Sequence, residues 1–140
     1  MIEISLGVLF ALLLIWASKT WKLESWSYTV SLVFLPLIYM AFGLLSEGEN
    51  IVLYEFYFGI PFFLFAVLGL IFEFKWSAYL IGVLWLSHAA YDLFHAQLFV
   101  NTGVFYWYPH FCAAVDFAIS AYIFWCARQW PSAKIRLLPG

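Results

Sequence analysis

Five long apolar runs, divided only by short polar breaks, limit this chain more than any other feature. They cover roughly residues 3–18, 26–45, 51–73, 76–99 and 109–128. Each is long enough, or nearly so, for a helix of about 20 residues to cross the hydrocarbon core of a bilayer. The breaks fall at 19–25, 46–50, 73–75 and 101–103, so no separate soluble domain fits between them. Apolar residues make up 66% of the chain and charged residues 10%. Soluble domains run nearer about half apolar and about a quarter charged, and a soluble fold of this length could not hide so much apolar surface. The expected architecture is all-α: one integral membrane domain over residues 1–140, a polytopic transmembrane bundle of five helices.

Charge gives that bundle an orientation. Lys19 and Lys22 lie in the first break, Lys75 in the third, and Arg128, Lys134 and Arg136 after the fifth run. With five crossings, all six basic residues share one side, which the positive-inside rule makes cytoplasmic. The N-terminus is then outside and the C-terminus inside. Trp16, Trp21, Trp26, Trp76, Trp125 and Trp130 gather toward the inner boundary, and Tyr106, Trp107 and Tyr108 mark the outer one. The first run lacks the basic n-region and small-residue cleavage site of a signal peptide, so it reads as a membrane helix. Pro109 suits a helical first turn, while Pro36 and Pro61 fall inside membrane helices. Cys112 and Cys126 are fourteen residues apart on one expected helix. That separation is about 21 Å, beyond disulfide reach. No basic cluster points to nucleic acid.

Against this apolar background the ionisable groups stand out. In His88-Ala-Ala-Tyr-Asp92-Leu-Phe-His95, positions i, i+4 and i+7 fall on one face at about 100° per residue. Counting depth from the outer helix ends puts Asp92 and Asp116 seven residues in, and His95 and Glu55 four. Those groups lie roughly 6–10 Å below the outer boundary, with His110 at it and His88 about 16 Å down. Depth therefore makes His88 the least expected direct partner of the others. Glu55, Gly59, Phe62, Ala66 and Gly69 form one stripe, and Cys112, Asp116 and Ser120 another. Small residues allow close helix approach, and a carboxylate facing lipid is costly, so both stripes should face inward. The expectation is an outer-half pocket built from Glu55, His88, Asp92, His95 and Asp116, with His110 nearby.

Several chemistries fit these residue types. Imidazole and carboxylate ligands suit a divalent metal such as zinc, iron or manganese, with His88, Asp92, His95, Asp116 and His110 as candidates. The spacing matches neither the HExxH motif nor the ExxH pair of di-iron bundles. A metal-free enzyme could use Asp92 or Glu55 as general acid or base with a histidine partner, on a lipophilic small molecule entering from the outer leaflet. An axial histidine among aromatic residues would suit haem or a pigment. Conduction of protons or ions fits less well, because the inner half offers no continuing polar path. The plainest alternative is a hydrogen-bonded network that fixes helix packing in a non-catalytic accessory or structural subunit, bound to another membrane protein or a second copy. Cys112 reads as a small packing residue, and Asn101-Thr102-Gly103 as a helix stop and turn. The run Phe105-Tyr106-Trp107-Tyr108 suits either an interfacial anchor or a lid over the pocket.

Three segments carry a wider likeness. Leu35-Pro36-Leu37-Ile38-Tyr39-Met40-Ala41-Phe42 is followed by His88-x-x-Tyr91-Asp92-x-x-His95 and then by Trp107-Tyr108-Pro109-x-Phe111-Cys112-x-x-x-Asp116. Together they resemble an uncharacterised family of small bacterial multi-pass membrane proteins, a domain of unknown function. The resemblance implies an integral protein of the bacterial inner membrane and no particular activity. It also implies that His88, Asp92, His95, Pro109, Cys112 and Asp116 belong to the family's characteristic motifs.

Overall fold

A computed structural model describes residues 1–24, 26–71 and 77–129. Among the described residues there are five helices: α1 (Ile2–Thr20), α2 (Ser27–Gly43), α3 (Ile51–Ile71), α4 (Ser77–Leu98) and α5 (Tyr108–Gln129). No strand occurs among the described residues. The chain is all-helical, as its apolar runs predict, and each helix begins within about two residues of the expected position. Of the groups used above for orientation, Lys75, Trp76, Trp130, Lys134 and Arg136 lie outside the described residues.

Three helices, over Ile2–Thr20, Ile51–Ile71 and Tyr108–Arg128, are long and apolar enough to cross a membrane. α2 has 17 residues, about 26 Å at the helical rise, a little short of the hydrocarbon thickness. α4 has 22 residues and length to spare, but His88, Asp92 and His95 dilute its apolar character. Its buried positions Ser77, Ile81, Trp85, His88, Asp92 and His95 follow helical spacing down one face. α1 buries only Gly7, Ala11 and Ser18 and leaves most of its Leu and Ile side chains exposed. So large an exposed apolar surface suits lipid contact rather than water.

Consecutive helices run in opposite directions. Pro36 of α2 meets Gly59 of α3, and Phe124 of α5 meets Gly82 of α4. α1 and α5 are parallel: Gly7 lies on Phe111, and Lys19 sits over the Tyr122 ring. Close backbone approach is concentrated in three pairs, α4 with α5, α2 with α3 and α1 with α5. Small residues permit it. A Cβ on Gly59 would stand 2.6 Å from Pro36 Cβ, so any larger residue there would push α2 and α3 apart. Ser120 Oγ donates to the Gly82 carbonyl at 2.8 Å and ties α5 to α4.

Between the α2–α3 pair and α4 the gap is bridged by long side chains instead. Trp85 Nε1 donates to the Tyr28 carbonyl at 3.1 Å, above a core that includes Leu32, Ala66 and Ile119. At the other end the two loops join through Ser46 and Thr102, whose hydroxyls are 3.0 Å apart. The end of α1 is closed by a Schellman turn: Leu23 N donates to Ser18 O at 2.8 Å and Lys22 N to Lys19 O at 3.2 Å. Lys22 takes the left-handed conformation this turn demands, with φ 57°. Both cysteines are free and buried.

Candidate metal centre

α4 presents His88 and Asp92 one turn apart, and the antiparallel α5 brings Asp116 against them. His88 Nδ1 and Asp116 Oδ2 are 2.7 Å apart, a full hydrogen bond. The same nitrogen is 3.6 Å from Asp92 Oδ2. One ligand atom from each of the three residues lies within 4.8 Å of the others. All three residues are only 1% exposed.

The two oxygens of Asp92 differ. Oδ1 accepts a hydrogen bond from Tyr39 Oη at 2.7 Å. Oδ2 is buried and has no hydrogen-bond partner. A buried acceptor left unpaired costs free energy on the order of 1–3 kcal/mol, more when charged. Among the described residues, the only basic side chains paired with Asp92, Asp116 and Glu55 are histidines. Lys19, Lys22 and Arg128 sit at the far ends of α1 and α5. The cluster therefore holds two carboxylates and one imidazole and no lysine or arginine among the described residues. That donor set suits a divalent cation.

Distances allow such an ion. Two atoms each about 2.1 Å from one metal stand about 3.0–3.4 Å apart in octahedral or tetrahedral geometry. The pairs at 2.7 and 3.6 Å bracket that range. The third pair, Asp92 with Asp116, lies within 4.8 Å, and side-chain rotation would draw the three atoms onto one ion.

Glu55 and His95 form a second cluster. Glu55 Oε1 accepts from His95 Nε2 at 2.8 Å and from Asn101 Nδ2 at 2.7 Å. Glu55 Oε2 accepts from Tyr91 Oη at 2.6 Å. Asn101 also accepts from Gly103 N at 3.1 Å through its side-chain oxygen, which ties the loop after α4 to α3. The single pocket expected from depth is thus two neighbouring clusters, with the Tyr39 ring against His95 (centroids 4.7 Å apart) and the Tyr39 hydroxyl on Asp92.

Depth counted from the sequence also misplaces His88. That residue stands ten positions before the end of α4 at Leu98, and Asp116 eight positions after the start of α5 at Tyr108. The two differ in depth by only about 3 Å, which an imidazole reaches easily. His88 is therefore the hub of the triad rather than its outlier. His110 is exposed, with its ring 6.0 Å from that of Tyr106, and takes no part in either cluster. Tyr108 packs on Tyr39 and Phe42, and Phe105 on Phe42, which closes the side toward the loop between α4 and α5, while Tyr106 is exposed.

Three contributors escaped the sequence reading as site residues: Tyr39, Tyr91 and Asn101. Tyr91 sits in the octapeptide beside Asp92, so its position was a signal. Asn101 looked like a helix stop, and only its burial at 7% exposure sets it apart from one. Comparison with protein-family models, curated proteins and solved structures finds no match to this chain. The motif likeness described above therefore stands on its own residues.

Proposed function

We propose that this chain is an integral membrane protein that binds one divalent metal ion between α4 and α5, with His88, Asp92 and Asp116 as protein ligands. The observation that carries the reading is Asp92 Oδ2, a buried carboxylate oxygen without a hydrogen-bond partner, 3.6 Å from His88 Nδ1. A nitrogen and two carboxylate oxygens suit zinc, manganese or iron(II) and leave positions open for further ligands. With each ligand residue 1% exposed, the site suits an ion far better than a lipid-sized substrate in this conformation.

In this reading the helices cross the plasma membrane of a bacterium five times, with the N-terminus outside. Lys19, Lys22 and Arg128 support that orientation, since the parallel α1 and α5 carry them to one end of the bundle. The bacterial setting rests on the motif resemblance. The metal then lies in the outer half of the bilayer.

Metal analysis of the detergent-purified protein tests this directly. After exposure to zinc, manganese or iron(II) and desalting, the wild type should retain a stoichiometric ion. His88→Ala and Asp116→Asn should lose it, and Glu55→Gln, in the other cluster, should keep it. A folded wild type that retains none overturns the reading. One distance favours a second, metal-free reading: His88 and Asp116 at 2.7 Å are already at hydrogen-bond length. In that reading the triad shares protons and serves acid–base chemistry, and a metal-free wild type is its expected result.

A further inference from the structure

Tyr39 and His88 meet different oxygens of Asp92. The Tyr39 hydroxyl donates to Oδ1 at 2.7 Å, while Oδ2 is the oxygen turned toward His88. The side chain is 2% exposed and cannot swing away. Its ring stands 4.7 Å from that of His95, 5.6 Å from Tyr91 and 5.8 Å from Tyr108. α2 holds it in place from below, since Pro36, one turn earlier, fits against Gly59 of α3. A buried phenol needs an acceptor, and Asp92 Oδ1 is the acceptor here. If Oδ1 turned to the ion, the Tyr39 hydroxyl would lose its bond.

We propose that Tyr39 is a specificity-determining positioning residue that keeps Asp92 to a single metal-facing oxygen, so that the centre selects zinc-class ions over calcium. Zinc is content with about four or five short bonds to nitrogen and oxygen. Calcium collects about six to eight oxygens and commonly takes a carboxylate through both of them. The inference rests on the metal reading above. Tyr39 touches Asp92 and not the ion, so it acts through the ligand.

Tyr39→Phe removes the hydroxyl and keeps the ring. Zinc affinity should fall about 10–100-fold, the usual effect of losing a group that orients a ligand. Calcium affinity should fall less or rise, so the zinc-to-calcium ratio should drop by about tenfold or more. In cobalt(II)-loaded protein the visible bands should weaken as Asp92 adds its second oxygen. Tyr91→Phe removes a phenol of the same size from the Glu55 cluster and should leave ratio and spectrum unchanged. Purely structural damage would move both variants alike. A wild type that takes up no metal overturns this inference together with the metal reading. A wild type that binds metal, beside a Tyr39→Phe protein with unaltered ratio and spectrum, overturns the role of Tyr39 alone. X-ray absorption on the cobalt-loaded wild type needs no variant to fold, and a two-oxygen Asp92 carboxylate there also overturns it.

Discussion

Two buried carboxylates, Glu55 and Asp92, lie on neighbouring helices and are equally hidden from solvent, yet their surroundings differ in kind. Glu55 accepts three hydrogen bonds, from Tyr91, His95 and Asn101. Asp92 accepts one, from Tyr39, and leaves Oδ2 without a hydrogen-bond partner, 3.6 Å from His88 Nδ1. A buried network with its polar atoms hydrogen-bonded stabilises one arrangement of helices, whereas a buried oxygen without a hydrogen bond is a standing cost. The Glu55 cluster thus has the character of a clamp between α3, α4 and the loop after α4. The His88 cluster has the character of a site that something else completes.

The largest effect should come from breaking the clamp. Glu55→Leu would strand three donors, Tyr91, His95 and Asn101. Removing one partner of a buried pair commonly costs about 3–5 kcal/mol. Unfolding in detergent should show a loss of that order, and whatever fraction still folds should bind metal as the wild type does. Strong loss of metal affinity in a folded Glu55→Leu protein would join the two clusters into one site and end the distinction.

Asp92→Asn should behave in the opposite way. It removes one of two like charges and keeps the shape of the side chain. Two carboxylates crowded in one buried cluster disfavour each other, and the neutral amide relieves that, so the metal-free variant should be at least as stable as the wild type. Added metal should stabilise the wild type by about 2.7 kcal/mol at a hundredfold excess over Kd, and should do nothing for the variant. Thermal unfolding with and without metal measures both. A metal-free Asp92→Asn protein several kcal/mol weaker than wild type would make Asp92 another clamp residue.

This division into clamp and site was only partly legible in the sequence. Helix positions were, because apolar runs and the breaks at 19–25, 46–50 and 101–103 are local signals. The inward stripes were too, since Glu55, Gly59, Ala66 and Gly69 are indeed the buried face of α3. Pairing across helices was not. Counting residues from a helix end gives one coordinate, depth, while lateral distance and helix rotation decide who meets whom. Hence Asp92 and Glu55 share a similar depth and take part in different clusters, whereas His88 and Asp116 looked mismatched and are hydrogen-bonded. Tyr39 lies on a helix with no ionisable partner of its own, so nothing nearby in sequence pointed from it to Asp92.

The smallest effect tests the same contrast at its edge. His110 belongs by residue type with His88 and His95, and by sequence it stands close to Asp116. In the fold it is exposed at the start of α5, with only the Tyr106 ring beside it among the aromatic contacts. Exposed substitutions away from buried features usually change stability by less than about 0.5 kcal/mol. His110→Ala should therefore leave both unfolding and metal content within error of the wild type. A measurable drop in metal content would mean that the ion lies nearer the start of α5 than the triad, held by imidazole from the loop side. Asp92 Oδ2 would then need a different explanation for lacking a hydrogen bond.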